Sequence, residues 1–132
     1  MNSPRQKLIF WAIASVGLVW NLIGCWNYIV QTDPDAVAQM PEVYRLVVEN
    51  RPAWATAGFA VSVFCGAVGC ILMLLRRQVS VALLVLSLLG SLTIFYFSYR
   101  VLGFDPATVS ALAMSFALLG FAFVCARRGW LG

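Results

Sequence analysis

The sequence predicts an all-α membrane protein: a four-transmembrane-helix bundle with a short amphipathic helix in its first outer loop. Of the 132 residues, 62% are hydrophobic and only 11% are charged, against about 25% charged in an ordinary soluble domain. The charged residues leave four uncharged stretches of 25, 24, 22 and 21 residues, namely 8–32, 52–75, 78–99 and 106–126. Each can cross a bilayer core, which takes about 20 apolar residues in a helix. None shows the period-2 alternation of a barrel strand.

The chain is therefore predicted to form one integral membrane domain over residues 1–132, and this leaves no room for a soluble catalytic domain. Its predicted spans are about 8–30, 53–75, 79–101 and 107–126, and the outer loop is 31–52. Turn residues support these limits. Asp105 can cap a helix that has Pro106 at its first position, and Gly103 can end the preceding helix. The third and fourth spans should thus form a tight hairpin.

The distribution of charge predicts the orientation of the spans. One side of the membrane receives six basic residues and no acidic one: Arg5, Lys7, Arg76, Arg77, Arg127 and Arg128. The other side receives all five acidic residues and three arginines. Because cytoplasmic loops are enriched in Lys and Arg, both termini are expected in the cytoplasm. The net charge of +4 is then a topology signal, and no nucleic-acid partner is expected.

The outer loop is the only extramembrane segment long enough for structure of its own. A helix can begin after Asp33-Pro34 and again after Met40-Pro41. Apolar residues recur there at helical spacing, at Met40, Val43, Tyr44, Val47 and Val48. Glu42, Arg45 and Glu49 occupy the opposite face, with Arg45 in reach of both acids. The loop should form a surface helix that packs on the bundle as a lid, or alternatively a substrate gate or docking face.

No ionisable residue lies within a span except at its ends, and the chain has no histidine. Intramembrane ionisable groups are the usual mark of proton relays and coupled ion pathways, so a proton-driven pump is not expected. The four cysteines lie within spans without a Cys-x-x-Cys spacing. We therefore expect no catalytic residues, no cofactor and no metal site, and the chain is not predicted to be an enzyme.

The neutral polar residues of the spans are the remaining candidates for a site. Asn21 lies near the midplane of the first span, and an amide in hydrocarbon must find a partner. It can clamp two helices together or bind the hydroxyl of a neutral solute, and Arg100 can either extend to the interface or contact a solute. The candidate lining or clamp residues are Asn21, Asn27, Ser62, Ser91 and Arg100.

Small residues predict where the helices approach one another. Gly58, Ser62, Gly66 and Cys70 follow one another at intervals of four in the second span, a pattern that allows close backbone approach. The predicted helix-packing glycines are Gly17, Gly24, Gly58, Gly66 and Gly69. Packing within one chain and contact with a second copy both remain open.

Four short segments resemble a known family: WNLIG at 20–24, MPEVY at 40–44, RPAWA at 51–55 and RRGWL at 127–131. They are similar to segments of a group of small bacterial four-span inner-membrane proteins loosely labelled sugar transporters. The resemblance extends over nearly the whole chain. It implies a multi-pass protein of the inner membrane, but it supplies no substrate-binding residues.

Two functional hypotheses follow. The chain can act through protein contacts, as an accessory or structural subunit in a homo-oligomer or larger membrane complex. Alternatively, it can be an oligomeric facilitator of a small neutral solute such as a sugar. A four-helix bundle with short spans is normally filled by its own side chains, which favours the first hypothesis. A continuous polar cavity would favour the second.

Overall fold

The computed structural model describes residues 3–132, and all of its regular structure is helical. The six helices are α1 (Pro4–Val30), α2 (Pro34–Ala38), α3 (Glu42–Asn50), α4 (Ala53–Leu74), α5 (Val79–Leu102) and α6 (Pro106–Arg127). Four of them, α1, α4, α5 and α6, are long and apolar enough to cross a membrane. The predicted all-α four-span bundle is confirmed, and the chain is a multi-pass membrane protein.

The ends of the helices follow from local chemistry. Asp105 Oδ1 accepts a hydrogen bond from the Ala107 amide at 3.4 Å, and Pro106 begins α6. Gly103 ends α5 with φ of 76°, a conformation that favours glycine. The helix α1 begins at Pro4, earlier than predicted, because Ser3 Oγ accepts from the Gln6 amide at 3.1 Å and caps it.

The four spanning helices are neighbours in the order α1, α4, α5, α6. The α4–α5 interface is the largest, whereas α1 and α6 touch over a short distance only. We call the end with residues 31–52 and 103–105 the loop end, and the end with residues 75–78 and 128–132 the terminal end. The four helices therefore form an open arc, with a gap between α1 and α6. Side chains fill this gap, or it remains a cavity.

Side chains fill the gap at the terminal end. Phe10 of α1 is fully buried there, with its ring centroid 6.2 Å from that of Phe121 and 6.4 Å from that of Trp130. The residues after α6 also close this end, because Trp130 O accepts from Arg76 Nε at 2.9 Å and Gly132 O accepts from the Gln78 amide at 2.9 Å.

The glycines that the sequence assigns to packing all face neighbouring helices. A Cβ on Gly17 would lie 2.5 Å from Leu118 Cδ2, one on Gly24 would lie 2.7 Å from Val63 Cγ1, and one on Gly58 would lie 2.8 Å from Thr93 Cγ2. Gly69 lies against Leu84, and Gly66 lies against the Asn21 side chain. These glycines lie where α1, α4, α5 and α6 contact one another within one chain.

Candidate functional site

A cavity of about 580 Å³ occupies the loop-end half of the bundle. Its walls come from α1, α4, α5 and α6, and the segment around α3 forms its roof. The expectation that the bundle is filled by its own side chains does not hold at this end. On this side of Gly17, α6 presents small residues to the gap, such as Ala107, Ser110 and Ala111, whereas Phe121 of α6 contacts Phe10 of α1 at the terminal end.

Asn21 of α1 is among the residues that line this cavity. It is only 7% exposed, and its Nδ2 donates to Gly17 O at 2.8 Å and to Cys70 Sγ at 3.8 Å. The first bond is within α1, and the second is a long contact to α4. The side chain therefore makes only one weak hydrogen bond to another helix.

Three serine hydroxyls connect α4, α5 and α6 beside the cavity. Ser62 and Ser91 lie 2.6 Å apart through their Oγ atoms, and Ser91 and Ser115 lie 2.7 Å apart. Ser62 and Ser115 line the cavity, while Ser91 lies behind them. The sequence-based candidates Ser62 and Ser91 are thus brought together. Ser115 was not among the sequence-based candidates, because a serine in an apolar span gives no sign of its partners.

The mouth of the cavity contains a residue that the sequence analysis did not single out, Arg51. Its Nη1 donates to Gln31 Oε1 at 3.0 Å and its Nε donates to Thr56 Oγ1 at 3.2 Å. Its Cζ lies 5.1 Å from the centroid of the Phe59 ring, a cation–π arrangement. Burial lowers the pKa of the Arg51 guanidinium, an effect partly opposed by Tyr28. Asn27 also lines this region.

The two other arginines of the loop end, Arg45 and Arg100, lie outside the cavity lining. Arg100 lies outside the cavity lining, and its Nη1 donates to Tyr96 Oη at 3.2 Å. It does not pair with Asp105, because that carboxylate caps α6. Arg45 donates to Ala38 O at 3.5 Å instead of pairing with the glutamates of α3. Arg100 therefore does not belong to the polar lining in this structure.

The predicted outer helix is present as α3 and lies over the mouth of the cavity. Met40, Tyr44, Val47 and Val48 line the cavity, and Val47 is 8% exposed. Val43, which the pattern placed on the same face, is 53% exposed, because it lies at the edge of this apolar face. Trp20 of α1 also lines the cavity.

The arrangement can bind a small molecule among apolar and neutral polar groups. In residues 3–132, no group of three or more His, Cys, Asp or Glu side chains is placed to hold a metal ion. Below the mouth, the lining consists of apolar, aromatic, amide and hydroxyl groups. In comparisons with known proteins, no family model, no curated protein and no solved structure matches this chain.

Proposed function

We propose that the chain is a facilitator of a small organic solute, and that the loop-end cavity is its binding site. The observation that supports this proposal is the cavity itself, which ends on the terminal side at Leu118 of α6. Its volume of about 580 Å³ lies within the usual range for small-molecule sites, roughly 300–1,000 Å³. An internal cavity supports the facilitator hypothesis over the accessory-subunit hypothesis, since an accessory subunit needs no internal space. It is a pocket closed between α1 and α6 and not a continuous polar path.

The lining favours a solute whose buried part is uncharged. Asn21 and Ser62 supply hydrogen-bonding groups at depth, while Trp20 and Phe59 supply aromatic surface. A few placed polar groups among apolar ones are typical of sites that recognise small organic molecules. A hydroxyl-bearing, sugar-like body fits this lining, in agreement with the family resemblance.

The charge distribution supports an orientation with the cavity facing outward. The six basic residues without acidic neighbours all belong to the terminal end or to the first turns of α1. By the positive-inside rule, we place this end in the cytoplasm. The family resemblance adds the proposal that the membrane is a bacterial inner membrane. The solute would then enter from outside.

The barrier to crossing lies between α1 and α6. Leu118 is 3% exposed and lies against Gly17. It lines both the cavity and a second depression of about 220 Å³ on the terminal side. Passage of the solute therefore requires Leu118 to move away from Gly17, with the two compartments joining along the α1–α6 gap.

Uptake into proteoliposomes tests this proposal. The purified chain is reconstituted and offered radiolabelled monosaccharides and polyols. We expect saturable uptake of at least one of them, loss of that uptake in Asn21→Leu, and retention in the control Asn50→Leu, whose amide bonds Leu46 O on α3 and does not line the cavity. Uptake no faster than in protein-free vesicles for every solute would refute the facilitator function.

A further inference from the structure

We infer that the cavity accepts an organic anion: a molecule with an uncharged body and one oxyanion group, carboxylate or phosphate, that binds Arg51 at the mouth. This inference rests on the proposed function and deepens it, because it specifies the charge of the solute. The sequence alone suggested a neutral solute.

The first argument is the unbalanced charge of Arg51. It is half-buried and lines the cavity. Its partners are neutral: an amide oxygen, a hydroxyl and an aromatic ring. Among the described residues, no carboxylate lies within ion-pair distance of its guanidinium. A desolvated guanidinium retains its proton, so a positive charge without a counter-ion remains at this position.

The second argument is the orientation of the guanidinium. Gln31 accepts from Nη1 and Thr56 accepts from Nε, so α1 and α4 fix the plane of the group. The hydrogen atoms of Nη2 have no protein acceptor among residues 3–132. A fixed, planar guanidinium with free donors is the arrangement that binds carboxylate and phosphate oxygens.

The third argument is that the lining contains no other base. Arg51 is the only Lys or Arg that lines the cavity in the part of the chain that the structure describes. The single acid of the lining, Asp105, is engaged at the N-terminus of α6, where the helix dipole favours its negative charge. One anionic group therefore fits at the mouth, and the body of the molecule extends toward Asn21.

Two matched probes test the charge of the ligand. Phenyl β-glucuronide carries a carboxylate where phenyl β-glucoside carries a hydroxymethyl group, and both have an uncharged body with an aromatic end. Binding is measured by calorimetry with the full chain in nanodiscs of phosphatidylcholine. We expect the wild-type chain to bind the glucuronide about tenfold or more tightly than the glucoside, the size expected for hydrogen bonds to a charged group.

Variants then assign this preference to Arg51. Arg51→Gln should remove the preference for the glucuronide without changing affinity for the glucoside. Gln31→Glu should do the same, because it places a carboxylate beside Arg51 Nη1. Glutamate has nearly the same shape as glutamine, and this variant retains the arginine that bridges residue 31 and α4. This second variant keeps the test valid if Arg51→Gln fails to fold. The controls Arg45→Gln and Arg100→Gln remove arginines outside the cavity lining and should retain the preference.

The same oxyanion can come from a free organic acid or from a lipid headgroup, and a second set of nanodiscs separates these sources. If a lipid occupies Arg51, phosphatidylglycerol in the nanodiscs should weaken glucuronide binding, and native mass spectrometry should show retained lipid that Arg51→Gln loses. If a free acid is the ligand, phosphatidylglycerol should have no effect. Equal affinity for the two probes, unchanged in both variants, would overturn the anion site and leave the proposed function standing. Absence of binding of the glucuronide would also overturn the anion site, whereas the proposed function is refuted only by the uptake measurement.

Discussion

Replacement of Gly66 by alanine is expected to destabilise the junction of α1, α4 and α5. A Cβ at this position would overlap Asn21 Oδ1, lie 2.6 Å from Asn21 Cγ and lie 3.0 Å from Ser87 Oγ. Asn21 is bonded to Gly17 O and Cys70 Sγ, so its side chain cannot move aside without losing these bonds. The added methyl group therefore either separates the helices or displaces the amide.

The size of the effect follows from two opposing terms. Inserting a methylene-sized group into a packed interior costs about 1–3 kcal/mol. The gain in helix propensity from Gly to Ala is at most about 1 kcal/mol. We therefore expect Gly66→Ala to lower the free energy of unfolding by about 1–2 kcal/mol. Gly120→Ala is the matched control, because no atom lies within 4 Å of a Cβ at Gly120, and it should leave stability unchanged or slightly higher.

A double-mutant cycle identifies Asn21 as the obstacle. Asn21→Ala removes the atoms that a Cβ on Gly66 would overlap, so the double variant should be more stable than the sum of the single effects predicts, by about 1 kcal/mol. The measurement is reversible unfolding in mixed detergent micelles, followed by circular dichroism. Equal stability of Gly66→Ala and Gly120→Ala, or strict additivity in the cycle, would refute the packing described for this junction.

Three further predictions concern other parts of the bundle. Gly90→Ala should be more damaging than Gly66→Ala in the same unfolding measurement, because its Cβ would meet backbone, 2.5 Å from Gly58 O, and backbone cannot rotate away; equal melting curves would contradict this. Asp105→Ala should lower the free energy of unfolding by about 1 kcal/mol through loss of the cap of α6, whereas Asp105→Asn should not; equal losses would show that charge rather than capping matters. Met40→Cys in a cysteine-free variant should react with an impermeant maleimide added outside intact cells, and reaction only after the cytoplasmic side is exposed would reverse the proposed orientation.

The span boundaries could be predicted because local chemistry sets them. Asp105, Pro106 and Gly103 lie within four consecutive positions and determine the α5–α6 turn without any distant residue. The helix α1 extends beyond the predicted span of about 8–30, because Ser3 caps it ahead of Arg5 and Lys7.

The site was less predictable, since it depends on how α1 and α6 diverge. Asn21 stands out in sequence as an amide in an apolar span, and it does line the cavity. Arg51 gives no such signal, because an arginine just before a span is ordinary. Its role emerges only when Gln31, 20 positions earlier, is brought to 3.0 Å from its guanidinium.

The small buried fraction of α6 predicts how ligand binding would change local opening of the bundle. In its most apolar stretch only 17% of residues are buried, against 44% in α4. Local opening costs least where few contacts are lost, so α6 should detach transiently more often than α4 and α5 separate. A ligand that fills the cavity contacts α6 along one wall, and it binds only the form in which α6 is packed on the bundle. By mass action, the ligand therefore stabilises the packed form of α6. Backbone hydrogen exchange should then slow in α6 when ligand is present, while the α4–α5 pair, already held together, would not change.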